Sequence, residues 1–302
     1  MISTPKNAPA LPIAIEDLKA LLSRILQTSI RTIEATPLGE SSRETPWRVD
    51  LKTSAGDKTV LVRLGKSCSY NEAVALSAME EHPLPSPSLL FWDPEGKDLG
   101  IPLFVSAFIH GAPLLDAMKA NEPWADALYI DTVCAMQAIA PEDLPPGTAA
   151  LLDGGLSALD VLESAYGMFR KPNPLADAAY RRLKETCPAL PSDRFSNGDL
   201  WPENLLVQDE RLVGIIDWQH AGFGDPIYEF LLPFFLVPEL RGRGTEEAYC
   251  ERMGFDPRVL HWYHGLEFFD SLRLVLKLEK PYMIHTAETL QTDLDRWLRA
   301  AP

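Results

Sequence analysis

Cysteine is scarce in this 302-residue chain, and the four present are scattered. Cys68, Cys134, Cys187 and Cys250 form no CxxC pair and have no clustered histidine beside them, which excludes a zinc site of the usual spacing. Inert thiols in a reducing compartment are the plain reading. Long apolar runs are also missing. No stretch approaches the roughly 20 residues that a membrane span needs. The first ten residues are polar and proline-bearing, without the apolar centre of a signal peptide. A cytoplasmic protein is expected. Positive charge is in short supply: 28 Lys and Arg face 43 Asp and Glu, for a net charge of -15. Such an excess of acid repels nucleic acid and anionic membrane as partners and favours a cationic small molecule. Internal repeats and low-complexity tracts are absent.

What is present reads as a globular chain, with 46% hydrophobic and 24% charged residues. Its length suffices for two lobes, each with a core. Ile15, Leu18, Leu21, Leu22 and Ile25 recur at helical spacing, so 15–27 is expected to be an opening helix. Short alternating, β-branched runs at 31–38, 47–53 and 58–64 follow, with a turn at Gly56-Asp57. The spacing predicts a helix over 70–81, then strands over 88–92 and 101–109. His110-Gly111-Ala112-Pro113 reads as a break. Beyond it the pattern is helical (124–139, 156–169, 175–186), interrupted by a loop with short strands over 195–218, and helical again from 226 onward.

The chemistry concentrates in Asn197-Gly198-Asp199-Leu200-Trp201-Pro202-Glu203-Asn204-Leu205 and in Ile215-Ile216-Asp217-Trp218. Two short apolar strands joined at Asp209-Glu210 form a hairpin, which would bring Asn204 at its start close to Asp217 at its finish. A hard cation such as Mg²⁺ takes a few protein oxygens and keeps phosphate oxygens and water for the rest, and these two side chains supply oxygens. Asp199 is left free to orient an attacking hydroxyl and accept its proton.

These segments resemble the signature of the aminoglycoside phosphotransferase and choline-kinase-like family: His-Gly-Asp-x-x-x-x-Asn, a hairpin, then Ile-Asp-Trp or Ile-Asp-Phe. The Asp-to-Asn spacing is also that of the protein-kinase catalytic loop. Gly224-Asp225-Pro226-Ile227-Tyr228-Glu229 is similar to the family's Gly-Asp-Pro-x-x-Asp continuation, with Asp225 read as a structural helix cap and Pro226 at the first helical position. The resemblance implies an α+β, bilobal, protein-kinase-like fold, with a small antiparallel-sheet N-lobe and a larger, mostly helical C-lobe. It implies a nucleotide-binding lobe over 1–109 and a catalytic and substrate-binding lobe over 110–302. The implied reaction is transfer of the γ-phosphate of ATP or GTP, with Mg²⁺, to a hydroxyl of a small molecule. Asp199 would be the base, and Asn204 and Asp217 the metal ligands.

Two small-lobe residues fit this reading. Arg63 shares a strand face with Leu61, away from Val60, Val62 and Leu64. Glu72 shares its helix stripe with Ala75, Leu76 and Met79. A carboxylate on a buried stripe needs a partner, and Arg63 is the obvious one. The pair resembles the kinase ion pair that holds nucleotide phosphates. The plain alternative is an exposed strand arginine and a first-turn glutamate favoured by the helix dipole.

Three departures from the family pattern stand out. Asn197 replaces the family histidine, Arg63 replaces a lysine, and the phosphate-covering loop has a single glycine, Gly39, with Ser41 and Ser42 as the remaining candidate phosphate donors. On the acceptor side, Trp201 and Glu203 lie near the chemistry. His264, Glu267 and Asp270 fall among aromatics at helical spacing, suited to an amine or a sugar ring. The family phosphorylates aminoglycosides, macrolides, choline, homoserine, sugars and fructosamines, so it does not define the acceptor. The rival reading is a pseudokinase that binds nucleotide or metabolite without turnover, supported by Asn197 and the glycine-poor loop. A kinase acting on protein is disfavoured, because 217–225 is too short for an activation segment.

Overall fold

A computed structural model describes residues 10–38, 45–169 and 171–300. Ser41 and Ser42 lie outside the described residues.

The chain opens with α1 (Ile15–Ile25), whose apolar stripe Leu18, Leu21 and Leu22 is fully covered. It covers one face of a five-stranded antiparallel sheet built from β1 (Ile30–Pro37), β2 (Trp47–Thr53), β3 (Gly56–Leu64), β4 (Leu89–Asp93) and β5 (Leu103–Ala107), in the order β1-β2-β3-β5-β4. Along β2 and β3 the residues alternate. Trp47, Val49, Leu51, Val60, Val62 and Leu64 point into the α1 core, which leaves Arg48, Asp50, Leu61 and Arg63 on the opposite face. α2 (Tyr70–Met79) follows β3. Its N-terminus is capped by Ser69, whose hydroxyl accepts from the Glu72 N–H at 3.2 Å.

β6 (Ala112–Pro113) begins the C-lobe, followed by α3 (Leu114–Lys119), α4 (Ala125–Gln137), α5 (Ala158–Gly167), α6 (Pro174–Glu185) and β7 (Arg194–Ser196). The hairpin β8 (Leu205–Gln208) and β9 (Arg211–Ile215) pairs with β6, and β10 (Gly222–Gly224) pairs with β7. Helices α7 (Tyr228–Leu236), α8 (Thr245–Met253), α9 (Val259–Leu278) and α10 (Ala287–Arg299) complete the chain. The fold is bilobal and kinase-like. The smaller apolar core lies under the sheet, and the larger one joins the C-lobe helices to the inner face of α2 through Ala75, Leu76 and Met79.

The expected elements appear with ends displaced by a few residues. Three were unexpected: β6, α3 and β10. The break after His110 holds the two-residue strand β6 and the six-residue helix α3, both too short to show a period. α7 begins at Tyr228, so Pro226 is not its first helical residue. Asp225 still caps it, accepting from the N–H groups of Ile227 (2.8 Å) and Tyr228 (2.9 Å).

Candidate active site

The β8–β9 hairpin turns at Asp209 and Glu210, both left-handed (φ 50° and 59°), the geometry of a tight two-residue hairpin. It returns the chain so that the Ile216 N–H donates to the Asn204 carbonyl at 2.9 Å. Asn204 and Asp217 thereby line one cleft of about 670 Å³ between the lobes. Asp217 is itself left-handed (φ 58°), a strained conformation for a non-glycine residue. Its Oδ1 is buried without a hydrogen-bond partner. The Asn204 amide donates to the Asp199 carboxylate at 2.9 Å and to the Asp199 carbonyl at 3.1 Å, which leaves its own oxygen as an acceptor.

Burial pushes the Asp199 carboxyl above its ordinary value, and Asp217 adds to the rise. The Asn204 amide, His220 and the Trp201 backbone N–H oppose it. The turn that presents Asp199 rests on Asn197, which is fully buried. The Asn197 Nδ2 donates to the carbonyls of Asp199 (3.0 Å), Ile216 (3.2 Å) and Asp217 (3.3 Å), linking the Asp199 loop to the segment after β9 that carries Asp217. Gly198 is left-handed (φ 78°), and a Cβ there would meet the His220 carbonyl oxygen at 1.9 Å. Its N–H donates to the Ser196 hydroxyl, which in turn donates to Glu229.

On the N-lobe side of the cleft, Arg63 Nε lies 3.2 Å from Glu72 Oε2. The Nε–H does not point along that line, and the pair's hydrogen bond runs instead from Arg63 Nη2 to Glu72 Oε1 at a long 3.5 Å. Glu72 is 3% exposed. Burial pushes its carboxyl up to about 7 against the pull of Arg63, and Asp217 raises it further. Both residues line the cleft together with Asn204 and Asp217.

Several other residues in or beside the cleft carry no signal in the sequence. Arg48 lies over the Phe108 ring at 5.3 Å and pairs with Asp50 at 3.0 Å. Ser106, on the cleft wall, is 1% exposed, with its hydroxyl unpaired. Asn71, one residue before Glu72, donates to the carbonyls of Gln219 (3.2 Å) and Ala221 (2.8 Å) and accepts from the Asp153 N–H (3.0 Å). It therefore joins α2 to the segment just past Asp217.

The acceptor-side candidates separate into three groups. Trp201 donates to Glu203 at 3.2 Å beside Asp199. Glu267, 2% exposed and with Oε1 unpartnered, is pushed well above its ordinary value by burial and by Asp270. Burial raises the Tyr282 hydroxyl, and the charges of Glu267, Asp270 and Asp199 add to the rise. Asp270 is held by Arg273 at 2.7 Å. His264 instead engages Glu246 of α8 at 2.8 Å, and is not among the groups acting on Tyr282.

Residues 63–263, about two thirds of the chain, match the family model described as the phosphotransferase enzyme family (APH). The chain belongs to that family. Among solved structures it is similar to a candidate aminoglycoside phosphotransferase from Ralstonia eutropha JMP134 (13% identity, TM-score 0.69, covering 95% of this chain and 96% of that one). It is also similar to a thermostable mutant of the aminoglycoside phosphotransferase APH(4)-Ia in ternary complex with ADP and hygromycin B (17%, TM-score 0.64, 94% and 98%). A third is an APH(2") in complex with GDP and kanamycin (17%, TM-score 0.61, 94% and 97%). At these identities the likeness shows the shared fold. No curated protein matches the chain by sequence.

Proposed function

We propose that this phosphotransferase moves the γ-phosphate of ATP or GTP to a hydroxyl of a small molecule. The observation that supports the reading is that Asn204 and Asp217 line one cleft with the Arg63–Glu72 pair, while the Asp199 carboxylate accepts from the Asn204 amide at 2.9 Å. Residues 1–109 form the nucleotide lobe in this reading, and 110–302 the catalytic and acceptor lobe.

Asp217, with a buried unpartnered oxygen, and Asn204, with its amide nitrogen already committed, offer an all-oxygen pair that fits Mg²⁺ and would hold it. The ion, when bound, would neutralise charge on the β- and γ-phosphates. Arg63, braced by Glu72, binds phosphate oxygens. Asp199, oriented by Asn204, receives the acceptor hydroxyl and its proton. Its raised proton affinity suits that role, because a base works best when its pKa approaches the working pH. Asn197 performs a bracing task through its amide, so the lost family histidine leaves the loop anchored. Trp201, Glu203, Glu267 and Asp270 border the acceptor. Hygromycin B and kanamycin are the acceptors named for two structural relatives, and an acidic inner wall of this kind accommodates a hydroxyl- or amine-rich molecule.

Asp199→Asn tests this directly. The variant should lose at least about 100-fold in phosphate transfer and keep its affinity for Mg-nucleotide. Unchanged transfer would place the base elsewhere.

A further inference from the structure

A hydroxyl buried without a partner is destabilising, and folded proteins keep few of them. Ser106 carries one: the residue is 1% exposed, and its Oγ has no hydrogen-bond partner. The alternation of β5 sets the direction of this side chain. Leu103 and Val105 point into the α1 core, so Phe104 and Ser106 point the other way, Phe104 into the larger core. Strand register places Ser106 between Leu61 of β3 and Leu89 of β4, and Leu61 in turn opposite Arg48 of β2. Arg48, Leu61 and Ser106 all line the cleft that holds Arg63, Asn204 and Asp217.

Arg63 follows Leu61 on the same strand face by two residues, about 7 Å along the strand, and is in register with Phe104. The phosphate end of the cleft, at Arg63 and Asp217, is therefore one such step away from the Leu61–Ser106 pair. Around that pair the cleft is an apolar slot, with Leu61 contributed by the N-lobe and Leu206 and Ile216 by the C-lobe. Apolar walls suit the two faces of a flat purine ring. A nucleotide with its triphosphate at Arg63 keeps its sugar toward the phosphates. The edge of the base opposite the sugar, which bears the 6-substituent, then reaches furthest into the slot.

We propose that the Ser106 hydroxyl reads the 6-position of the purine base and admits both ATP and GTP. A hydroxyl rotates to suit its partner. It accepts from the 6-amino group of adenine, or donates to the 6-oxygen of guanine, and either bond satisfies the oxygen that the free protein leaves unpaired. Ser106 is in this sense a specificity-determining residue, one that sets a tolerance rather than a preference. The inference rests on the reading of this cleft as the Mg-nucleotide site.

Purine riboside 5′-triphosphate serves as the reference ligand, because it differs from ATP only in lacking the 6-amino group. Binding of ATP, GTP and the reference, each with Mg²⁺, is measured by isothermal titration calorimetry on the wild type, Ser106→Ala and Asp217→Ala. ATP and GTP should each bind Ser106→Ala about tenfold more weakly than the wild type, while the reference binds the two proteins alike. The substitution removes a hydroxyl that has no partner in the free protein, so Ser106→Ala should unfold no earlier on heating than the wild type, which separates a lost contact from a lost fold. Unchanged affinity for ATP and GTP, an equal loss for all three ligands, or a loss confined to one nucleotide would overturn the proposal. Asp217→Ala tests the underlying reading separately. ATP binding that vanishes in Asp217→Ala, with no effect of Ser106→Ala, would keep the Mg-nucleotide site and remove the role of Ser106. The selective loss in Ser106→Ala, with full ATP affinity in Asp217→Ala, would do the reverse. Failure of the wild type to bind any of the three would remove both.

Discussion

Gly198 lies at the tightest approach in the Asp199 loop. Its left-handed backbone disfavours any other residue, and the His220 carbonyl occupies the place of a Cβ. Gly198→Ala should therefore cost about 3 kcal/mol or more in denaturant unfolding and abolish transfer. A variant of near-normal stability would mean that the two loops are farther apart than described. Asn197 and Asp199 show how much of this site was legible from neighbouring residues alone. The Asp-x-x-x-x-Asn spacing, the hairpin and Asp217 just beyond it are local in sequence, so the side chains proposed as oxygen ligands and base could be picked out directly. The bracing function of Asn197 could not, because its acceptors include Ile216 and Asp217, 19 and 20 residues further along the chain.

At the scale of elements, α2 carries two adjacent residues with different partners. Glu72 holds Arg63 across the N-lobe, and Asn71 holds the backbone at Gln219 and Ala221, about 150 residues away. Asn71→Ala would take a partner from the Gln219 carbonyl and the Asp153 N–H and remove the tie to the Ala221 carbonyl, which keeps only its bond from the Gly154 N–H. A stability loss of about 2–3 kcal/mol is expected, with a higher KM for nucleotide because the helix bearing Glu72 loosens. Unchanged denaturation and unchanged KM together would show that α2 is held by its apolar face alone. Such long-range pairing is invisible to periodicity, whereas the buried stripe containing Glu72 was plain from Ala75, Leu76 and Met79. The missed elements follow the same rule. β6 and α3 are too short for a repeat, and β6 exists only because β8 pairs with it. His264 shows the limit of helical spacing, which gives no sign of its contact with Glu246 on another helix.

Across the whole molecule, a set of carboxyl groups is held above ordinary values by burial: Glu72, Asp199, Asp225, Glu229 and Glu267. Glu229 is the simplest of them. Burial pushes it up to about 7, with the Ser196 hydroxyl opposing and Asp199 and Asp225 adding to the rise. Between its unfolded value near 4.5 and about 7, the folded state keeps a proton that the unfolded state has released. Stability of the free protein should therefore fall as pH rises through that window, and the fall should be shallower in Glu229→Gln. An identical pH slope in the two proteins would rule out Glu229 as a contributor. The same acidic composition that argued against nucleic acid and membrane hid a cavity at the end of α9 lined by Lys171, Arg273, Lys277 and Lys280, because net charge reports the sum and not its placement. Among the described residues no helix is long and apolar enough to cross a membrane.

Thermal unfolding with ATP and GTP, each with and without Mg²⁺, on the wild type and Asp217→Ala, tests the central claim most directly. Nucleotide at about a hundredfold over its Kd should add roughly 2.7 kcal/mol to the wild type, a rise of about 5 °C in Tm. That rise should require Mg²⁺ and be lost in the variant. An equal rise in both proteins, or none with either nucleotide, would contradict a Mg-nucleotide site built on Asn204 and Asp217.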